Sequence, residues 1–262
     1  MTVQKLKAQS GTEIAYHKLD PQNENLPGVL FCGGFMSDME GSKATFLEQK
    51  CEERGQGFVR FDYGGHGASS GSCTEGTIGG WLADAESVLM QLTEGPQIIV
   101  GSSMGGWITL MLALKHPDRL AGVVGIAAAP DFTQEMYDEA FDEAQKKQLA
   151  EEGLIYLPSD YGEPYPITEH LIEDGESHLL LHKDDLRIDC PVRLLHGKAD
   201  SVVPWEKSLR IKDLLTSTDV GVHFIDEGDH SLSCDAGLLL LDSAVKALTE
   251  IACPGEEIAE SS

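Results

Sequence analysis

The sequence predicts an α/β protein: a mostly parallel central sheet with helices on both faces and a small inserted cap. Three observations carry this reading. Short apolar runs bounded by glycine recur along the chain, segments with helical spacing alternate with them, and one interval between about Asp131 and about Asp189 breaks that rhythm. Repeated strand–helix units build a parallel sheet because each right-handed crossover lays its helix on one face, and winding in both directions covers both faces.

The chain opens with alternation in VQKLKA and EIAYHKL, separated by the turn residues Ser10 and Gly11, which predicts a hairpin with one buried face. Continuous apolar runs follow in GVLFCGG, QGFVRFDYGGHG, QIIVGSS, AGVVGIAAA, PVRLLHG and VGVHFIDEG. Runs of this kind suit parallel strands covered on both sides. Between them KATFLEQKCEERG ends at a glycine, TIGGWLADAESVLMQL starts at a threonine cap, and MGGWITLMLALKHPDRL gives way at a proline. After Cys190 the pattern resumes with PWEKSLRIKDLLT, whose proline suits a first helical turn, and closes on the amphipathic LLLLDSAVKALTEIA. The expected core is therefore residues 1–131 and 190–253, with 132–189 as the cap and the polar, acidic 254–262 as a disordered tail.

A formal charge of −25, from 19 basic and 44 acidic side chains, creates a field that repels phosphate-rich partners and argues against nucleic acid. The six cysteines fall singly, without C-x-x-C pairs or metal-ligand spacing, which fits a reducing compartment. No stretch approaches a bilayer span, and the start lacks an apolar run behind a basic segment, so the expected location is cytoplasmic. His178 and His182 have one-turn spacing but no evident third ligand, so no metal is expected, and no cofactor is called for. Oligomeric state leaves no mark in the sequence.

The chemistry is written in QIIVGSSMGGW. Gly101, Ser103 and Gly105 have G-x-S-x-G spacing directly after a predicted strand and before a predicted helix. Such a turn forces the central serine into strained angles and lifts its hydroxyl above the sheet edge, while glycines let neighbouring backbone pass. Ser102 lies off the glycine frame and points away. A serine nucleophile needs a histidine to take its proton and a carboxylate to orient that histidine. Asp200 follows the strand PVRLLHG, and His230 follows VGVHFIDEG, both at the carboxyl edge where open sheets gather their sites. Of nine histidines only His230 has that position; His196 is expected to support the turn before Asp200, and His66 to be structural. Asp226 and Asp229 are rivals for the acid, too close in sequence to reach the far ring nitrogen.

Two backbone donors should hold the oxyanion: Met104 N–H at the new helix, and Phe35 N–H in the loop LFCGGFMSD after the first parallel strand. Met36, Trp205 and Tyr161, with Tyr165 and Met136 of the cap, are the candidate substrate contacts around an apolar acyl pocket. The expected reaction is hydrolysis of a carboxylic ester or thioester of a small-molecule or lipid-acyl substrate. An amide or carbon–carbon bond hydrolase on the same residues, or a hydrolase-like scaffold that binds without turnover, remains open.

Along nearly its full length the chain resembles the α/β-hydrolase superfamily. GSSMGGW, RFDYGGHG, CPVRLLHGKADSVVPW and STDVGV are similar to the abhydrolase domain-containing protein ten type of animal mitochondria and bacteria. The resemblance implies hydrolysis of S-palmitoyl thioesters and acyl glucuronide esters, and puts Ser103, Asp200 and His230 at the triad positions. The loop DEGDHSLS is more acidic than that pattern.

Overall fold

The structure is a computed structural model that describes residues 3–8, 10–158 and 164–256. Strands β1 (Gln4–Lys7) and β2 (Glu13–Leu19) form the expected antiparallel hairpin, and β2 also pairs antiparallel with β4 (Phe58–Phe61). The rest of the sheet is parallel: β3 (Gly28–Cys32), β5 (Gln97–Ser102), β6 (Leu120–Ile126), β9 (Val192–Gly197) and β10 (Val220–Ile225). The order is β1-β2-β4-β3-β5-β6-β9-β10, so the chain winds outward in both directions from β3 and β5.

Alternation along the strands divides the core. Leu30, Ile99, Val123 and Leu194 face the layer containing helices α2 (Ile78–Leu92) and α3 (Met104–Lys115). Val29, Ile98, Val124 and Leu195 face α1 (Ser42–Glu53) and α8 (Asp235–Ala252). α3 is buried without a break from Met104 to Ala113, as a helix apolar on all sides must be. β10 departs from expectation: it is the sheet edge and only half-buried, with His223 exposed. Pro204 also lies just outside its helix, since α7 (Glu206–Leu214) begins after Trp205.

The irregular interval holds a short α4 (Phe132–Glu135) that runs into a π-helical turn, then α5 (Glu143–Glu152), an antiparallel pair β7 (Leu154–Leu157) and β8 (Tyr165–Thr168), and α6 (Glu169–Glu176). Charged and aromatic groups tie it to the sheet body. Both Asp131 oxygens accept backbone N–H groups, from Leu180 and Leu181, at 2.8 Å. Asp174 accepts the Gly79 N–H at the start of α2 (2.7 Å), Trp107 donates to the His178 carbonyl (3.1 Å), and Lys207 of α7 pairs with Glu135. Residues 257–262, most of the expected tail, lie outside the described residues.

Asp84 of α2 is 3% exposed and accepts the Gly64 N–H at 2.8 Å. Burial raises its carboxyl to about 6, only partly opposed by that hydrogen bond. A raised folded value favours the protonated form, so its contribution is fully present below about pH 4 and is lost as pH rises through about 6. That gap corresponds to about 3 kcal/mol. Asp84→Asn keeps an acceptor for Gly64 and removes the charge. In urea melts its stability relative to wild type should improve by about 2–3 kcal/mol between pH 4 and pH 7; parallel curves would refute this.

Candidate active site

The chain turns from β5 into α3 at Ser103, which has φ 55° and ψ −119°, a left-handed region that costs a side-chain-bearing residue about 1–3 kcal/mol. Anchors on three sides hold it: Ser103 N–H donates to the Ile126 carbonyl (2.9 Å), and the Ser103 carbonyl accepts from Gly106 (2.9 Å) and Ala129 (3.0 Å). The flanking glycines are sterically required. A Cβ at Gly101 would lie 2.2 Å from the Gly105 oxygen, and one at Gly105 would lie 2.1 Å from the Cys32 oxygen. Ser102 is buried in the strand, as its place off the frame implies.

Three strand ends then converge. His230 Nε2 lies 3.1 Å from Ser103 Oγ, and His230 Nδ1 lies 2.8 Å from Asp200 Oδ2. Asp200 has a fully buried side chain and collects four donors: both ring contacts, His230 and His196 (3.1 Å), on Oδ2, and the Val202 and Val203 N–H groups, each 2.8 Å from Oδ1. Burial alone would raise its carboxyl, but the bonds from His196, His230 and Val203 outweigh it and hold the group well below the usual carboxylate range. His196 is oriented in turn by Ser208 Oγ at 2.8 Å, so it supports Asp200 directly, beyond the turn. The rival acids are engaged elsewhere: Asp226 pairs with Lys198 (2.7 Å), and Asp229 accepts from the Leu232 N–H (2.9 Å). Lys43 of α1 donates to the Ser231 carbonyl, tying down the loop after His230, and burial lowers its ammonium to about 8.

The loop after β3 passes close to the serine: a Cβ on Gly34 would stand 3.5 Å from Ser103 Cβ. Among the described residues neither the Phe35 nor the Met104 amide donates to a protein acceptor. The Phe35 ring stands 5.6 Å from Tyr165, 5.7 Å from Trp81 and 6.1 Å from Phe132, so β8 and α4 do reach the elbow's surroundings. Met36 is exposed beside them, and Met136 is half-buried and packs against the core. The Trp205 ring packs edge-on against Phe224 of β10 at 5.2 Å and is not among the rings that meet Phe35. Tyr161 lies outside the described residues. His178 sits 3.7 Å from Asp174, and no metal-ligating cluster of three occurs among the described residues. Phe132 and Trp81 were not singled out by the sequence, in which a lone aromatic on a helix gives no sign of packing against Phe35.

A doubly wound sheet with a serine elbow at its carboxyl edge defines the hydrolase class. The family model described as "alpha/beta hydrolase fold" matches residues 27–155. The chain is 39% identical over 239 residues to palmitoyl-protein thioesterase ABHD10, mitochondrial, of Mus musculus, covering 90% of this chain and 79% of that protein. The solved mouse alpha/beta hydrolase domain-containing protein 10 superposes with a TM-score of 0.86 at 37% identity, over 95% of this chain and 98% of that one. A solved bacterial structure from Agrobacterium vitis S4 gives 0.91 at 34% identity, over 95% and 99%. The chain belongs to the α/β-hydrolase family, among relatives of the ABHD10 type, and is a hydrolase of ester or thioester bonds. The relatives are named as mitochondrial, which overturns the cytoplasmic expectation. Single cysteines report redox conditions, and those do not single out one compartment. No helix among the described residues is long and apolar enough to cross a membrane.

Since a Cβ at position 105 would meet the Cys32 and Gly33 carbonyls at 2.1 and 2.4 Å, Gly105→Ala should cost about 3 kcal/mol or more. A urea midpoint within experimental error of wild type would contradict the packing described.

Proposed function

We propose that the protein is an acyl thioesterase or esterase in which Ser103 is the nucleophile, His230 the general base and Asp200 the orienting acid. The Ser103–His230–Asp200 hydrogen-bonded chain, 3.1 Å and 2.8 Å long at its two links, is the observation that carries the reading. Ser103 Oγ attacks the acyl carbonyl carbon as His230 Nε2 takes its proton, and negative charge moves to the carbonyl oxygen. The Phe35 and Met104 N–H groups, aided by the positive end of α3, hold that oxyanion. On collapse the leaving thiolate or alkoxide takes the proton from the imidazolium. Water, deprotonated by His230, then attacks the acyl-enzyme, and the returning proton restores Ser103 as the carboxylic acid departs.

Asp200 keeps the relay directional. Its low affinity for protons ensures that it stays an anion, which fixes the Nδ1–H tautomer of His230 and stabilises the imidazolium without accepting the proton. Residues 132–189 act as a cap that supplies Tyr165 and Phe132 to an aromatic wall around Phe35. A wall of this kind suits an apolar acyl chain, and ABHD10 relatives are named palmitoyl-protein thioesterases, so an S-acyl chain on a protein or small thiol is the favoured substrate.

Ser103→Ala should lower kcat on acyl thioesters and p-nitrophenyl esters by about four orders of magnitude or more and abolish fluorophosphonate labelling. Retention of most turnover would sink the assignment. Asp200→Asn should cost about three to four orders of magnitude in kcat while preserving the fold, since the ring loses its tautomer. Release of amine from an amide panel, faster than thioester cleavage, would redirect the substrate class.

A further inference from the structure

Met36 lies immediately after Phe35 and has φ 56°, a left-handed conformation that a residue with a side chain adopts only when its neighbours impose it. Two hydrogen bonds hold it: Ser37 N–H donates to the Gly34 carbonyl at 3.2 Å, closing the turn, and His66, in the turn after β4, takes the Met36 N–H. Met36 N–H donates to His66 Nε2 at 3.1 Å. A backbone amide can only donate, so Nε2 carries no proton and Nδ1 does, donating to the Gly64 carbonyl at 3.2 Å. The ring is 4% exposed and wedged edge-on against Trp81 (5.2 Å) and Tyr63 (5.7 Å), so it has no freedom to turn away. Burial also lowers its pKa, which keeps the accepting form populated.

The same strand end grips the loop a second time. Asp62 accepts the Met39 N–H at 2.6 Å and the Ala68 N–H at 2.8 Å, joining the loop after β3 to the turn that carries His66. Arg60 donates to the Met39 carbonyl at 2.7 Å. The Met39 end is thus fixed by charge, and the Met36 end, next to the oxyanion donor, by the Ser37–Gly34 turn bond and one imidazole nitrogen, the one side-chain group among these.

We propose that His66, in its Nδ1–H tautomer, is the positioning residue of the oxyanion loop, fixing the left-handed turn at Met36 so that the Phe35 N–H stands ready beside Ser103. This rests on the reading that Phe35 donates to the oxyanion. His66 touches neither substrate nor the reacting atoms; it acts through the backbone.

The test compares His66→Phe, which keeps a ring against Trp81 but removes the acceptor, with His66→Gln, whose Oε1 can stand where Nε2 stood. In His66→Phe, kcat should fall about 10- to 100-fold with KM within about twofold of wild type, because one oxyanion donor is misplaced while ground-state binding is untouched. Affinity for an acyl trifluoromethyl ketone, which forms an anionic tetrahedral adduct, should fall by the same factor, and His66→Gln should recover most of both. A folded His66→Phe with unchanged kcat, or equal losses in Phe and Gln variants, overturns the proposal. Should His66→Phe fail to fold, ¹⁵N spectra of histidine-labelled wild type decide: an Nδ1–H ring at neutral pH supports it, and an Nε2–H or doubly protonated ring overturns it. Ser103→Ala in parallel separates the two levels. If that variant keeps turnover, the reading of the site fails; if it is silent while His66→Phe is normal, only this inference fails.

Discussion

A backbone turn with φ 55° at Ser103 is the constraint on which the rest of the structure depends. It exists because two positions carry no side chain, and because β6 and the turn after it accept and donate the serine's own backbone bonds. The strain is small against the buried core around it, with α3 enclosed on every side and both faces of β5 covered. A sheet of this depth holds one unfavourable conformation without yielding, and the hydroxyl is presented at an edge where three other loops can meet it.

Electrostatics then assigns each group its state. Asp200 is fully enclosed, which would favour protonation, yet the hydrogen bonds from His196, His230 and Val203 reverse the balance. His196 is central to that reversal: it spends one nitrogen on Ser208 and the other on Asp200, so the carboxylate is held from behind as well as by His230. The loop after β3 follows the same logic, with Arg60, Asp62 and His66 satisfying its backbone at separate points. Fixed dipoles and charges that need no rearrangement during reaction are the most effective form of such stabilisation.

Much of this was legible in the sequence because it follows from local rules. Glycine-bounded apolar runs gave the parallel strands, and G-x-S-x-G between a strand and a helix marked Ser103. Asp200 and His230 were legible because strand ends share one edge, so chain order became spatial position. Features that depend on packing between distant segments were not. Nothing local says that Trp205 turns to Phe224, that Asp131 grips Leu180 and Leu181, or that His66 meets a backbone amide 30 residues earlier. The β7–β8 pair was hidden by its brevity and by Pro166, which lacks a ladder donor. Location was misread because cysteine usage bears on redox state alone, and neither the lack of a bilayer span nor the lack of an apolar run behind a basic start names a compartment.

The 132–189 segment and the surroundings of Ser103 are held by different kinds of contact. Around Ser103 the fixtures are short, buried and largely backbone-directed, so the reacting atoms have little freedom. The 132–189 segment is fastened by polar bonds from Asp131, Asp174, Trp107 and Arg210 and by the Lys207–Glu135 pair, while its aromatic side chains meet Phe35 through apolar contact. Apolar contacts are non-directional and tolerate changes in shape that a hydrogen bond would not. The surroundings of Ser103 are thereby held by directional bonds, whereas the contacts of the 132–189 segment with Phe35 can shift in shape without breaking a polar bond.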